Sequence, residues 1–160
     1  MSRAISRHRS DEYLRVWLRL LKCSNMIEAR VRSGLREEFQ TTLPRFDMLA
    51  QLAAADDNGL TMGELSRRLM VTNGNLTGLT ERLVKEKLIS RTPLPEDRRT
   101  QHIKLTAQGR RALNKMAGRH RAWIENMFSA ISERDVSDLS KLIGRLKESV
   151  QASAERECSI

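Results

Sequence analysis

The stretch Thr61–Gly109, TMGELSRRLMVTNGNLTGLTERLVKEKLISRTPLPEDRRTQHIKLTAQG, decides the fold. Thr61-x-x-Glu64 is a capping box, in which a hydroxyl and a carboxylate satisfy the free N–H groups that open a helix. Leu65 and Leu69 of that helix point inward, with Ser66, Arg67 and Arg68 between them. Val71-Thr72 makes a turn, and Thr72 suits the cap of a second helix running from Asn73 to about Glu86. Leu76, Leu79, Leu83 and Val84 form its apolar face, which leaves Asn73, Asn75, Thr77, Gly78 and Arg82 outward. Leu88–Thr92 and Thr100–Leu105 read as short strands, Ile103 and Leu105 alternating with His102 and Lys104. Pro93 and Pro95 cannot both sit in a regular strand, so a loop spans 93–99.

The second helix breaks a local rule. Thr72–Thr80 carries no charge and holds Gly74 and Gly78. Each glycine inside a helix costs about 1 kcal/mol relative to alanine, and such departures cluster at functional sites. Either the glycines relieve crowding against another helix of the chain, or they let the backbone approach a large surface. The loop Glu96-Asp97-Arg98-Arg99 favours the surface. A small polar helix suits a major groove, where Asn73, Asn75 and Thr77 can read base edges. An arginine at a hairpin tip suits a narrow minor groove. Between residues 61 and 105 there are nine Lys+Arg and five Asp+Glu, with no acid within 65–80.

From about Phe46 to Gly109 the chain resembles the winged helix-turn-helix of the multiple-antibiotic-resistance-regulator (MarR) family. The resemblance rests on Leu65-Ser66-Arg67-Arg68-Leu69, on Thr77-x-x-Thr80-x-x-Leu83-Val84-x-x-x-Leu88-Ile89, and on Asp97-Arg98-Arg99-x-x-x-Ile103-x-Leu105-Thr106-x-x-Gly109. It implies a mainly α fold. A lobe over 44–105 with a two-stranded β-wing would read DNA, and helices from 10–38 and 106–150 would form a dimerisation region. It also implies a homodimer on a pseudo-palindromic double-stranded operator, with half-sites about 34 Å apart. Asp97 would hold the wing and Arg98 or Arg99 would touch DNA. Ser66, Arg67, Thr72, Gly74, Arg82 and Arg91 join Asn73, Asn75, Thr77 and Gly78 on the expected DNA surface.

Bulk properties agree. The 160 residues suit one folding unit. A net charge of +9 suggests a polyanionic partner. Aromatics are only 4% of the chain, which argues against single-strand binding by base stacking. Cys23 and Cys158 lie too far apart in sequence to suggest a zinc site or a disulfide framework. No apolar run approaches the roughly 18 residues of a membrane span, and the basic start MSRAISRHRS lacks the apolar core of a signal peptide. A cytoplasmic protein with no membrane partner is expected.

Outside the lobe, residues 1–9 read as a loose basic arm, and helix one as running from Ser10 to about Glu38. Val16, Leu20, Cys23, Ile27, Val31 and Leu35 form one stripe along it, and Leu14, Trp17, Leu18 and Leu21 form another in its first half. A helix apolar on two faces needs two sets of neighbours, and a partner chain can supply one. Helix two spans Pro44 to about Ala55, with Phe46, Leu49, Leu52 and Ala53 inward. Helix five starts near Thr106 with a stripe from Leu113 to Ile131. Helix six follows the box Ser132-x-x-Asp135, and residues 152–160 read as frayed.

No catalytic constellation appears. His8, His102 and His120 are scattered, and there is no phosphate-binding glycine loop, metal-ligand spacing or nucleophile elbow. No cofactor and no metal is expected. The family resemblance implies a repressor released by a small aromatic effector. Ser24–Glu28, Thr42–Asp47 and Val71–Leu79 are similar to the branch answering hydroxycinnamoyl-CoA, which implies an aromatic acyl-CoA such as p-coumaroyl-CoA or feruloyl-CoA and a role in aromatic compound catabolism. Arg32, Arg36 and Arg45 would meet its phosphates, and Trp17, Met26, Phe46 and Met48 would line a slot for the ring. The competing account makes these arginines a solvated or DNA-facing surface and the apolar residues plain core. Two other classes stay open: a thiol-redox sensor, disfavoured because Cys23 sits on an apolar stripe, and an architectural DNA-binding protein without a ligand.

Overall fold

The computed structural model describes the backbone of residues 2–69, 73–93 and 101–157, and the side chains of 11–69, 74–93 and 101–156. The chain forms two compact units, Met1–Trp123 and Ile124–Ile160.

The first unit opens with α1 (Ser2–Phe39), a single helix of 38 residues. It begins eight residues before the expected start. Nothing in Arg3-Ala4-Ile5-Ser6-Arg7 stops a helix, and Ala and Arg are strong helix formers. Among its described side chains, Val31 and Leu35 near its C-terminal end enter the core. Gln40 turns the chain with a positive φ of 51°. The helix α2 (Leu43–Ala53) follows, with proline in its first turn and Phe46, Met48, Leu49 and Leu52 buried.

A tight turn then delivers a strand that the sequence did not announce. Asp56 Oδ1 accepts from the Asn58 N–H at 3.0 Å, and Asp56 O accepts from the Gly59 N–H at 3.0 Å. Gly59 has φ +78°, and a Cβ there would lie 2.3 Å from the Ile103 carbonyl oxygen. Glycine is therefore required on two counts. It lays β1 (Leu60–Thr61) against the later hairpin, Leu60 opposite Ile103. The sheet has three strands, not the two expected, because a two-residue strand is too short to show alternation.

The helices α3 (Met62–Leu69) and α4 (Asn73–Lys85) come next. They lead into β2 (Ile89–Pro93) and β3 (Gln101–Leu105), antiparallel with Arg91 opposite Ile103 and Pro93 opposite Gln101. The order is β1-β3-β2. Pro93 ends an edge strand, where its missing N–H breaks no ladder. Thr106 caps α5 (Ala107–Phe128): its hydroxyl accepts from the Gly109 N–H at 3.0 Å. Gly109 is pressed so closely that a Cβ would lie 2.0 Å from the Leu88 carbonyl oxygen. Leu113 and Met116 of α5 join the core. Further along, Trp123 lies 2.7 Å from where a Gly34 Cβ would be, and meets the Phe39 ring edge-on at 6.4 Å.

In the second unit, Ser132 and Asp135 make the expected box. The Ser132 hydroxyl bonds Asp135 Oδ2 at 2.6 Å and accepts from the Asp135 N–H at 3.2 Å. They open α6 (Glu133–Glu157), which continues past the expected fraying point at 152. Ala-Ser-Ala-Glu-Arg-Glu contains no breaker.

Candidate nucleic-acid interface

The helix pair is fixed from its first residue. The Thr61 N–H donates to Glu64 Oε2 at 2.8 Å, the Thr61 hydroxyl bonds the same oxygen at 2.8 Å, and the Glu64 N–H returns a bond to Thr61 Oγ1 at 3.2 Å. These bonds from Thr61 hold the Glu64 carboxyl below the usual carboxylate range. Leu65 is sealed, Ser66 is half-buried and Arg67 is exposed.

The inner face of α4 is Leu76, Thr80 and Leu83, each fully buried. Thr80 was not expected there as a core residue. Its hydroxyl is satisfied by the Leu76 carbonyl at 2.7 Å, so burial leaves no polar group stranded. The outer face carries Gly74, Asn75, Thr77 and Arg82, all exposed, with Gly78 half-buried. A Cβ at Gly74 or Gly78 would meet no described atom within 4 Å. The two explanations of the glycines separate on this point. Among the described residues, nothing in the chain needs the room they leave.

The far end of α4 is clamped. Lys87 is left-handed (φ 59°), its N–H bonded to the Val84 carbonyl at 2.9 Å and the Leu88 N–H to the Leu83 carbonyl at 3.0 Å. Thr106 Oγ1 bonds the Lys87 and Leu88 carbonyls at 2.7 and 3.0 Å. Gln108 donates to the Glu86 carbonyl at 3.3 Å. Arg45 of α2 grips the Glu86 carboxylate with both guanidinium NH2 groups, one of these bonds at 2.8 Å. This hydrogen bonding holds the Glu86 carboxyl below its ordinary range. The pair joins residues 41 apart, so no local spacing announced it.

Arg91 is exposed on the edge strand. Thr72, the Asn73 side chain, Asp97, Arg98 and Arg99 lie outside the described residues. The effector candidates differ in burial. Phe46 is buried against the His120 ring at 4.9 Å, and Met48 has no exposed surface. Trp17 and Met26 stand exposed on α1, at 56% and 64%. Arg36 is exposed, and Arg32 donates to Glu28 one turn back at 2.9 Å. Cys23, expected to be covered on its stripe, is exposed in the single chain.

Two successive helices, the second with an outward polar face, and a winged sheet make this a winged-helix DNA-binding protein. A sequence model of the MarR family matches residues 39–100. A MarR family transcriptional regulator from Silicibacter pomeroyi is 30% identical, with a TM-score of 0.74 over 89% of this chain and 97% of that one. The chain belongs to the MarR family and is a DNA-binding transcriptional regulator, not an enzyme. It is similar to the transcriptional activatory protein BadR of Rhodopseudomonas palustris, 29% identical over 138 residues, or 83% of this chain and 79% of that one. The fold also matches CouR of Rhodococcus jostii, solved bound to p-coumaroyl-CoA, with TM-score 0.71 and 20% identity over 82% of this chain and 90% of CouR. No described helix is long and apolar enough to cross a membrane.

Proposed function

We propose that the chain acts in the cytoplasm as a homodimeric repressor of genes for aromatic compound catabolism, and that an aromatic acyl-CoA such as p-coumaroyl-CoA releases it from a pseudo-palindromic operator. The carrying observation is the outer face of α4. It is uncharged from Thr72 to Thr80, and its two glycines open onto space that no described part of the chain fills. On this reading the 44–105 lobe docks α4 in a major groove, with Asn73, Asn75 and Thr77 at base edges and the Asp97–Arg99 wing beside it. Dimerisation is supported by Leu14, Trp17, Leu18 and Leu21, apolar residues of α1 that are 45–56% exposed in the single chain. On this reading Trp17, Met26, Arg32, Arg36, Arg45, Phe46 and Met48 line a site completed by the second chain. The branch resemblance and the ligand of CouR support the thioester.

BadR's name as an activatory protein favours a second sign of regulation. Promoter position, not protein chemistry, would then set the sign, and release by effector would be unchanged. Operator binding followed by fluorescence anisotropy, with p-coumaroyl-CoA, free p-coumarate and free CoA in parallel, tests the proposal. Release by the thioester at concentrations where the free acid does nothing is expected. Undiminished binding at saturating thioester would remove this effector. Alanine at both Arg98 and Arg99 is expected to weaken binding and lower the salt slope by about 2.

A further inference from the structure

His102 stands in the middle of the sheet. It lies on β3, the central strand, opposite Thr61 of β1 on one side and Thr92 of β2 on the other. Its ring Nδ1 is 3.0 Å from the carbonyl oxygen of Asn58, in the turn that leads into β1. A carbonyl oxygen only accepts, so Nδ1 carries the hydrogen and donates it. The turn that receives this bond is itself held, since the Asn58 and Gly59 N–H groups are both bonded to Asp56.

The two ends of the β2–β3 hairpin are secured differently. The base end is anchored by Thr106, whose N–H and hydroxyl both reach the Leu88 carbonyl, at 3.1 and 3.0 Å. The other end leads into the loop that carries Arg98 and Arg99. A two-stranded hairpin is marginal in water, and a third strand makes it firm. Here the third strand is β1, which pairs through Leu60 and Thr61 alone. His102 sits on the loop side of that short ladder, and its ring adds a bond beyond it. Thr61, its partner across the ladder, bonds the Glu64 carboxylate that caps α3. The Thr61 bonds come first in holding that carboxyl below its ordinary range, and the nearby His102 ring adds to them. One residue thus joins the loop end of the hairpin to the turn and to the first turn of α3.

We infer, resting on the reading of the wing as a DNA contact, that His102 is a positioning residue: it fixes the loop end of the hairpin against the Asp56–Gly59 turn and α3, so that Arg98 and Arg99 meet DNA at a set angle. The imidazole acts through the wing and touches no base or phosphate itself. Without its bond the hairpin keeps its base and loses direction at its tip.

The test uses the full-length protein and an operator duplex selected from random sequence by wild type. His102→Leu keeps bulk and removes the donor. His102→Asn also removes the imidazole but places an amide N–H close to where Nδ1 stood. His102→Leu is expected to bind operator about threefold to tenfold more weakly than wild type, the worth of one hydrogen bond, and His102→Asn to recover most of that loss. Added to Arg98→Ala with Arg99→Ala, His102→Leu should cost less than about twofold more, because the groups it positions are already gone. Amide hydrogen exchange without DNA reads the tie directly. Residues 58–61 and 101–105 should exchange at least about threefold faster in His102→Leu than in wild type or His102→Asn, with α5 unchanged. Wild-type operator affinity in His102→Leu, the same cost with and without the two arginines, or no advantage of asparagine over leucine overturns the inference. So does unchanged exchange in His102→Leu. If the double arginine variant itself binds operator as wild type does, the wing reading fails, while exchange still decides whether the ring holds the sheet.

Discussion

Leu76 and Leu83 on α4, and Leu18 and Leu21 on α1, are leucines on amphipathic helices of one unit. The first pair has no exposed surface, and the second is 48% and 45% exposed. Their spacing is equally helical. The difference lies in what covers them: the lobe's apolar faces are met by α2, α3 and the sheet, while Leu18 and Leu21 stay about half exposed in the single chain. Periodicity tells which face of a helix is apolar. It does not tell which molecule supplies the cover.

That contrast can be broken at several points. Leu83→Ala should cost about 2–5 kcal/mol of folding stability, since it opens a cavity in a sealed core, and denaturant unfolding would measure it. Leu18→Glu with Leu21→Glu should leave the circular dichroism of the lobe intact. It should also turn a dimer into a monomer by sedimentation, with operator affinity falling in parallel. If the double variant unfolds at the concentration where wild type is a monomer, the exposed face is core after all. Asn75→Ala should cost about 1–3 kcal/mol on the preferred operator and less on others. A loss equal across all sequences would make Asn75 a positioning contact. The smallest effect belongs to Asp47, whose carboxyl burial pushes above its ordinary range, with His120 and Arg32 opposing and Glu28 adding to the rise. A carboxyl raised in the fold costs stability once pH climbs through its folded value. Asp47→Asn should therefore be slightly more stable than wild type at neutral pH, and equal to it in acid. Half-exposure and solvent screening keep the gain small. Thermal unfolding at pH 3 and pH 7 would show it.

Much of this molecule is written in local chemistry. The Thr61–Glu64 and Ser132–Asp135 boxes and the proline opening α2 are each set by residues within a turn of one another, and each forms as spacing dictates. What spacing could not show depends on partners distant in sequence. Two-residue β1 exists because Gly59 places Leu60 against Ile103. Arg45 belongs to Glu86 across 41 positions, although its neighbours in sequence are Pro44 and Phe46. The outer face of α4 was legible because glycine and asparagine defy helix propensity there. The exposure of Leu14, Trp17, Leu18 and Leu21 on α1 was not, because side chains left uncovered in one chain carry the same pattern as core.

Trp123 lies flat over the bare backbone of Gly34, and Trp17 stands in water. These are the only two indole rings in the chain. Replacing Trp17 with phenylalanine would leave a single emitter wedged where α1 and α5 cross. Its colour and quenching would report that crossing in real time, so the protein carries its own optical gauge at the joint.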